Sequence, residues 1–134
     1  MTPFALQIVT PDGLKFDGQV EQLVVRTTSG DLGILAGHIS CVAPLGMGRA
    51  TVTIDGKQRH AACIGGMVSV MDGKVTLVPT TFEWAEEINA QRAQQAYDEA
   101  QNVLRDKAAS ETALRLAEAR AKRALVRRSV ASGK

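Results

Sequence analysis

Aromatic residues make up only 4% of this 134-residue chain, so any hydrophobic core has to be built mainly from Val, Ile, Leu, Met and Ala. Cys41 and Cys63 are the only cysteines. They are too few for a disulfide framework and lack the spacing of metal ligands, so both are expected as buried free thiols. His38 and His60 fall on different candidate elements, with no triad or metal spacing, which leaves no catalytic constellation and no enzyme acting alone. No Gly-Lys-Ser/Thr is present, which excludes a phosphate loop, and Gly46-Met47-Gly48 and Gly65-Gly66 lack the surroundings of a dinucleotide fingerprint. No apolar run approaches the ~20 residues that span a bilayer. No charged segment followed by an apolar run opens the chain, as a signal peptide would. The expectation is a soluble protein that meets a membrane only through a partner.

What is present changes character near residue 85. Before it, short apolar runs alternate with turn signals; after it, the chain is rich in Ala, Arg, Glu and Gln, without Pro and without Gly before Gly133. The reading is α+β: an N-terminal all-β sandwich over residues 1–85, then a C-terminal antiparallel two-helix hairpin over 86–134. At 45% hydrophobic, the first part can fill a core of roughly 80 to 90 residues, the size of a small domain that folds alone.

In the β half, Ala5–Thr10 ends at Pro11-Asp12-Gly13, a strong turn cluster. Gln19–Thr27 reads as one strand rich in β-branched residues. Ala50–Ile54 meets Lys57–Ile64 across Asp55-Gly56, and Met67–Met71 meets Lys74–Val78 across Asp72-Gly73. Asp-Gly supplies the two positive φ angles of a type I′ hairpin turn. Strands at this spacing point to a sandwich or a barrel, with Pro79 ending the last of them. Ser29–His38, with three glycines around Leu32, Ile34 and Leu35, reads as a tight corner and not a regular strand. Such a corner can also present Asp31 and His38 to a partner.

In the helical half, Ala93, Ala96, Tyr97, Ala100, Val103 and Leu104 mark one face of a helix from about Glu87 to Arg105. Glu83, Glu86 and Glu87 are placed at its start, where a helix N-terminus favours negative charge. Asp106–Ser110 is the turn, with Ser110 as N-cap of a second helix. Ala113, Leu114, Ala117, Ala121, Ala124 and Leu125 form its apolar stripe. Alanine favours helix but buries little area, so the hairpin is expected to be helical yet weakly held closed.

Charge divides unevenly. Residues 1–86 carry six Lys/Arg against eight Asp/Glu, a net of −2; residues 113–134 carry seven against Glu118 alone, a net of +6. Arg115, Arg120, Lys122, Arg123, Arg127 and Arg128 lie largely outside the stripe. They suit a solvated helix end or docking onto an acidic protein surface. Nucleic acid is the weaker reading, because no aromatic residue interleaves them.

With these features in place, the chain resembles the epsilon subunit of bacterial F-type rotary ATP synthases along essentially its full length. The likeness rests on Leu6–Pro11, Phe16-Asp17-Gly18, Val24–His38, Ile64-Gly65-Gly66-Met67 and Val75–Val78, in that order, and on the Arg- and Ala-rich helical tail. It implies a non-catalytic rotor subunit whose sandwich joins the gamma subunit to the c-subunit ring in a proton- or sodium-driven synthase. Ser29, Gly30, Asp31 and His38 would carry contacts, with Asp31 toward the ring and His38 near gamma. It implies a hairpin that opens along gamma and inhibits ATP hydrolysis, its basic residues facing the catalytic alpha and beta subunits. It also implies a position on the cytoplasmic face of a bacterial cell membrane, peripheral and held there by the complex.

Some members of that family bind ATP through an Ile-Asp-x-x-Arg-Ala motif. Here the run is Ile88-Asn89-Ala90-Gln91-Arg92-Ala93, and Glu83 matches too. ATP would then be a regulatory ligand on Glu83, Ile88, Asn89, Arg92 and Ala93, with no cofactor required. Asn89 replaces the motif's Asp, keeping an acceptor oxygen but losing the negative charge. That departure favours a rotor subunit with an inhibitory tail over an ATP sensor. A purely structural connector is the third alternative.

Overall fold

A computed structural model describes residues 2–133. They fall into two compact units, the first ending at Trp84 and the second beginning at Ala85.

The first unit is a sandwich of two five-stranded sheets. Its strands are β1 (Phe4–Thr10), β2 (Gly13–Val20), β3 (Gln22–Thr27), β4 (Gly30–Ile34), β5 (Cys41–Pro44), β6 (Met47–Ile54), β7 (Lys57–Ile64), β8 (Met67–Met71), β9 (Lys74–Val78) and β10 (Thr81–Trp84). One sheet has the order β2-β1-β9-β8-β5, the other β10-β7-β6-β3-β4. Among the described residues only β1 and β9 pair in parallel, and the other strand pairings are antiparallel. Period-two alternation decides which residues enter the core. Phe4, Leu6 and Ile8 of β1, beside Val75 and Leu77 of β9 in the same sheet, form one apolar cluster with Leu23 and Val25 of β3 and Ala50 and Val52 of β6 in the other. At one edge Phe82 and Phe16 both meet the Trp84 ring edge-on, and the Arg59 guanidinium lies 3.8 Å from its centroid.

Both Asp-Gly hairpins form as read. Asp55 and Gly56 adopt φ of 51° and 76°, Asp72 and Gly73 of 50° and 78°, the pair of positive angles that a type I′ turn needs. Gly65-Gly66 has a different task. There the chain crosses between sheets beside two other crossings: Leu45 N–H donates to Gly66 O at 2.8 Å and Gly65 N–H to Gly46 O at 3.0 Å. A Cβ on Gly66 would collide with the Val78 carbonyl and with Pro79.

Several expectations are corrected. Gln19–Thr27 is not one strand: it divides at Glu21, with β2 in one sheet and β3 in the other. The Ser29–His38 corner contains a regular strand, β4, paired with β3 from Leu23↔Ile34 to Thr27↔Gly30. As an edge strand it can hold glycines, since packing is demanded of it on few sides. Glu83 lies in β10 and not at a helix start. Cys63 is buried as expected, but Cys41 on edge strand β5 is only half-buried.

In the second unit a single 3-10 turn (Ala85–Glu87) precedes α1 (Ala90–Arg105) and α2 (Glu111–Ala131). α1 therefore starts later than expected, and Glu86 and Glu87 belong to the turn before it. Asn89 caps α1 by accepting from Arg92 N–H at 3.0 Å, and Ser110 caps α2 by accepting from Ala113 N–H at 3.1 Å. The helices run antiparallel, as contacts of Gln94 with Arg128 and of Glu99 with Arg120 require. Their packed centre is Ala100, Ala117 and Ala121, flanked by Tyr97, Val103 and Leu104. Leu125 was expected on this stripe but is exposed.

Candidate functional site

The hairpin tip between β3 and β4 is built by Thr27. Its hydroxyl donates to Gly30 O at 2.7 Å and accepts from Ser29 N–H at 3.2 Å, locking a tight turn that Gly30 completes at φ 125°. Asp31 follows on the exposed side, opposite Arg26 in register, and its carboxylate sits 3.2 Å from the Arg26 guanidinium. Both partners are more than half exposed, so this pair orients Asp31 more than it stabilises the fold. The Arg26 stem passes close to Gly48 on β6, which has no side chain; a Cβ there would come within 2.6 Å of the Arg26 Cβ. His38 lies beyond the other end of β4, its Nδ1–H donating to Ile39 O at 2.8 Å. Ser29, Gly30 and Asp31 are thus gathered at one end of an edge strand, with His38 past the other. His60 makes a 3.0 Å hydrogen bond with Thr51 across β6 and β7, a structural role.

Register also reveals a surface that motif reading missed. On the outer side of the first sheet, Pro44 pairs with Met67 and Met67 with Val78; Val42 and Met71 share that side by alternation. Leu14 joins it through its pairing with Val9. Leu14, Val42, Met67, Met71 and Val78 are all exposed. Contiguous exposed apolar side chains on a sheet mark an interaction surface. The signal was available in the sequence: Met67, Ser69, Met71 and Val78 occupy outward positions where a solvated strand would carry charge.

The residues of the expected nucleotide motif divide between the units. Glu83 is half-buried in β10. Ile88, Asn89, Arg92 and Ala93 cluster at the start of α1, where Ala93 is buried and Arg92 exposed. The Asn89 oxygen is already occupied by the backbone N–H of Arg92.

Four of the basic residues of α2 fall into two classes. Arg115 pairs with Glu111 at 3.2 Å and Lys122 with Glu118 at 3.3 Å, both within the helix at i,i+4. Arg120 and Arg128 reach across to α1: Arg120 to Glu99 at 3.5 Å, and Arg128 to Gln94 at 3.0 Å while lying over the Tyr97 ring. Arg123 and Arg127 are half-buried. Among the described residues no helix is long and apolar enough to cross a membrane.

Residues 3–85 match the family described as ATP synthase, Delta/Epsilon chain, beta-sandwich domain. The ATP synthase epsilon chain of Bacillus velezensis is 41% identical over 131 residues, 98% of each chain, and that of Ruminococcus albus is 39% identical over the whole of both. Among solved structures, a chain of the Euglena gracilis mitochondrial ATP synthase (OSCP/F1/c-ring) superposes with a TM-score of 0.80 at 25% identity. That match covers 91% of this chain and 77% of that one.

Proposed function

The chain belongs to the ATP synthase epsilon-chain family, non-catalytic stalk subunits of that enzyme, and on that footing we propose that its sandwich couples the gamma subunit to the c-subunit ring while its helical arm restrains ATP hydrolysis. The observation that carries the first part is the apolar outer face of the first sheet. Its five exposed side chains suit a stable packing partner, and gamma is the partner of that kind in a central stalk. The Ser29-Gly30-Asp31 tip is the small polar contact toward the ring, and His38 lies on the gamma side. The 1–85 part is then the rotor-binding domain and 86–134 the regulatory one.

The inhibitory part rests on charge and packing together. α2 concentrates its basic residues along one helix, and its packed centre with α1 is alanine. A partner with an acidic surface on the alpha and beta subunits needs to favour the open state by only a few kcal/mol. The coupling ion is a proton or sodium, and the site of action is the cytoplasmic face of a bacterial cell membrane, reached through the complex.

The test is ATP hydrolysis by the catalytic assembly lacking this chain, with full-length protein or a version ending at Glu86 added back and binding of both confirmed. Inhibition by the full-length protein alone identifies the arm as the brake. Binding of both without inhibition leaves a structural connector.

A second reading is ATP sensing, favoured by Ile88, Asn89, Arg92 and Ala93 lying within six consecutive positions at the N-terminal end of α1, where helix N–H groups attract anions. Asn89 weakens it, having lost its charge. Calorimetric titration decides: millimolar or tighter ATP binding, abolished by Arg92→Ala, supports sensing, and absence of heat removes it.

A further inference from the structure

Tyr97 is the only aromatic residue after Trp84, and Arg128 lies over it with the guanidinium carbon 4.8 Å from the ring centroid. The same guanidinium donates through Nη1 to Gln94 Oε1 at 3.0 Å. Gln94 in turn donates through Nε2 to Asp98 Oδ1 at 2.9 Å. The Gln94 amide is therefore oriented from both ends, nitrogen to a carboxylate and oxygen to a guanidinium. A flipped amide would set donor against donor at Arg128. Gln94, Tyr97 and Asp98 stand at i, i+3 and i+4, one face of α1, and Arg128 comes from α2.

Beside these contacts, the helices meet through small side chains. Their packed centre consists of the methyl groups of Ala100, Ala117 and Ala121, with larger side chains only at its margin. The Arg120–Glu99 ion pair between the helices is 3.5 Å long with both side chains about half exposed, a kind of contact that contributes little. Arg128, by contrast, is half-buried and combines a cation–π contact with a charge-assisted hydrogen bond.

We infer that Gln94, Tyr97 and Arg128 form the latch of the hairpin, and that the closed hairpin withholds Arg128 from any acidic partner until α1 and α2 separate. The Arg115–Glu111 and Lys122–Glu118 pairs lie inside α2 and travel with it on opening. The Arg128 contacts cross between the helices and must break. One guanidinium therefore serves two mutually exclusive states, held by α1 when closed and offered outward when open. This consequence for docking rests on the inhibitory-arm reading; the latch itself is a property of the isolated chain.

Amide hydrogen exchange on the full-length chain tests it, comparing Gln94→Ala, Tyr97→Leu and Arg128→Lys. Tyr97→Leu keeps an apolar side chain on the face, and Arg128→Lys keeps the charge but loses the plane. Each is expected to speed exchange in α1 and α2 by about three- to tenfold, the loss of one hydrogen bond or cation–π contact, with the sandwich strands unchanged. Tyr97→Leu combined with Arg128→Lys should give less than the product of the two, because the residues act on one contact. Arg120→Ala is the comparison and should change exchange less than twofold. Unchanged exchange in the three variants, a multiplicative double variant, or an equal effect of Arg120→Ala would each overturn the latch. In the hydrolysis assay, Gln94→Ala and Tyr97→Leu retain Arg128 and should inhibit more strongly than the parent chain. Faster exchange without stronger inhibition leaves the latch standing and removes the arm's inhibitory role.

Discussion

Cys63 points into the sandwich, and burial pushes its thiol from an ordinary 9.0 up to about 12. A raised folded value means that the unfolded chain loses this proton first. The buried thiol therefore costs nothing below pH 9, and stability falls as pH rises from 9 toward 12. Denaturant unfolding across that range should show a shallower decline for Cys63→Ala than for the parent. The native chain should label at Cys41 alone with a thiol reagent at pH 8, and at both cysteines once unfolded. Glycines separate in the same way. Gly66→Ala must displace the Val78 carbonyl and should cost more than about 2 kcal/mol, whereas Gly33→Ala meets nothing and should stay within about 0.5 kcal/mol. Chemical denaturation measures both. These differences were not legible from residue type: Gly66 sits at φ 94° with the Val78 and Pro79 backbone against it, and Gly33 has neither constraint.

Caps and faces belong to the next scale. Ser110→Ala removes the acceptor for Ala113 N–H and should cost α2 about 1 kcal/mol, read as faster exchange in its first turn. That cap was legible, because a Ser after a break and before an Ala-rich run has one favoured use. On the sheet, Met67→Lys or Val42→Lys changes an exposed side chain and should leave stability within about 0.5 kcal/mol. Binding to gamma should weaken at least tenfold, measured by titration with the catalytic assembly; unchanged binding would move the interface elsewhere. The apolar face was half-legible: alternation set the outward positions, but only pairing register brought β5, β8 and β9 side by side. Strands β4, β5 and β10 escaped sequence reading, two of them for identifiable reasons. β4 carries two glycines whose turn preference is overridden by pairing with β3. β10 follows Pro79 closely and bears Glu83, yet Phe82 and Trp84 alternate into the core.

Across the whole molecule, two separate units predict two separable unfolding events. A chain ending at Glu86 should keep the sandwich's thermal transition within a few degrees while losing the helical signal. In the full chain, the helical signal should soften first on heating, because alanine contacts bury little area. A single coincident transition for strand and helix probes would show that the units stabilise one another. Raising salt should weaken docking of the basic arm on the catalytic subunits much more than gamma binding, since exposed charges are screened and apolar contacts are not.

Residue order alone sets the change from strands to helices near residue 85, the Asp-Gly hairpins, the alanine stripes of the helices and the basic end of the chain. Each depends on neighbours within a few positions, through φ preference, periodicity or local charge. Tertiary structure alone decided which strands share a sheet, that Asp31 answers to Arg26, that Gly66 admits no side chain, and that Arg128 is tied to Tyr97 and Gln94. Arg26 and Asp31 meet only through the register of the β3–β4 pairing, the others join residues far apart along the chain, and no local preference encodes any of these contacts.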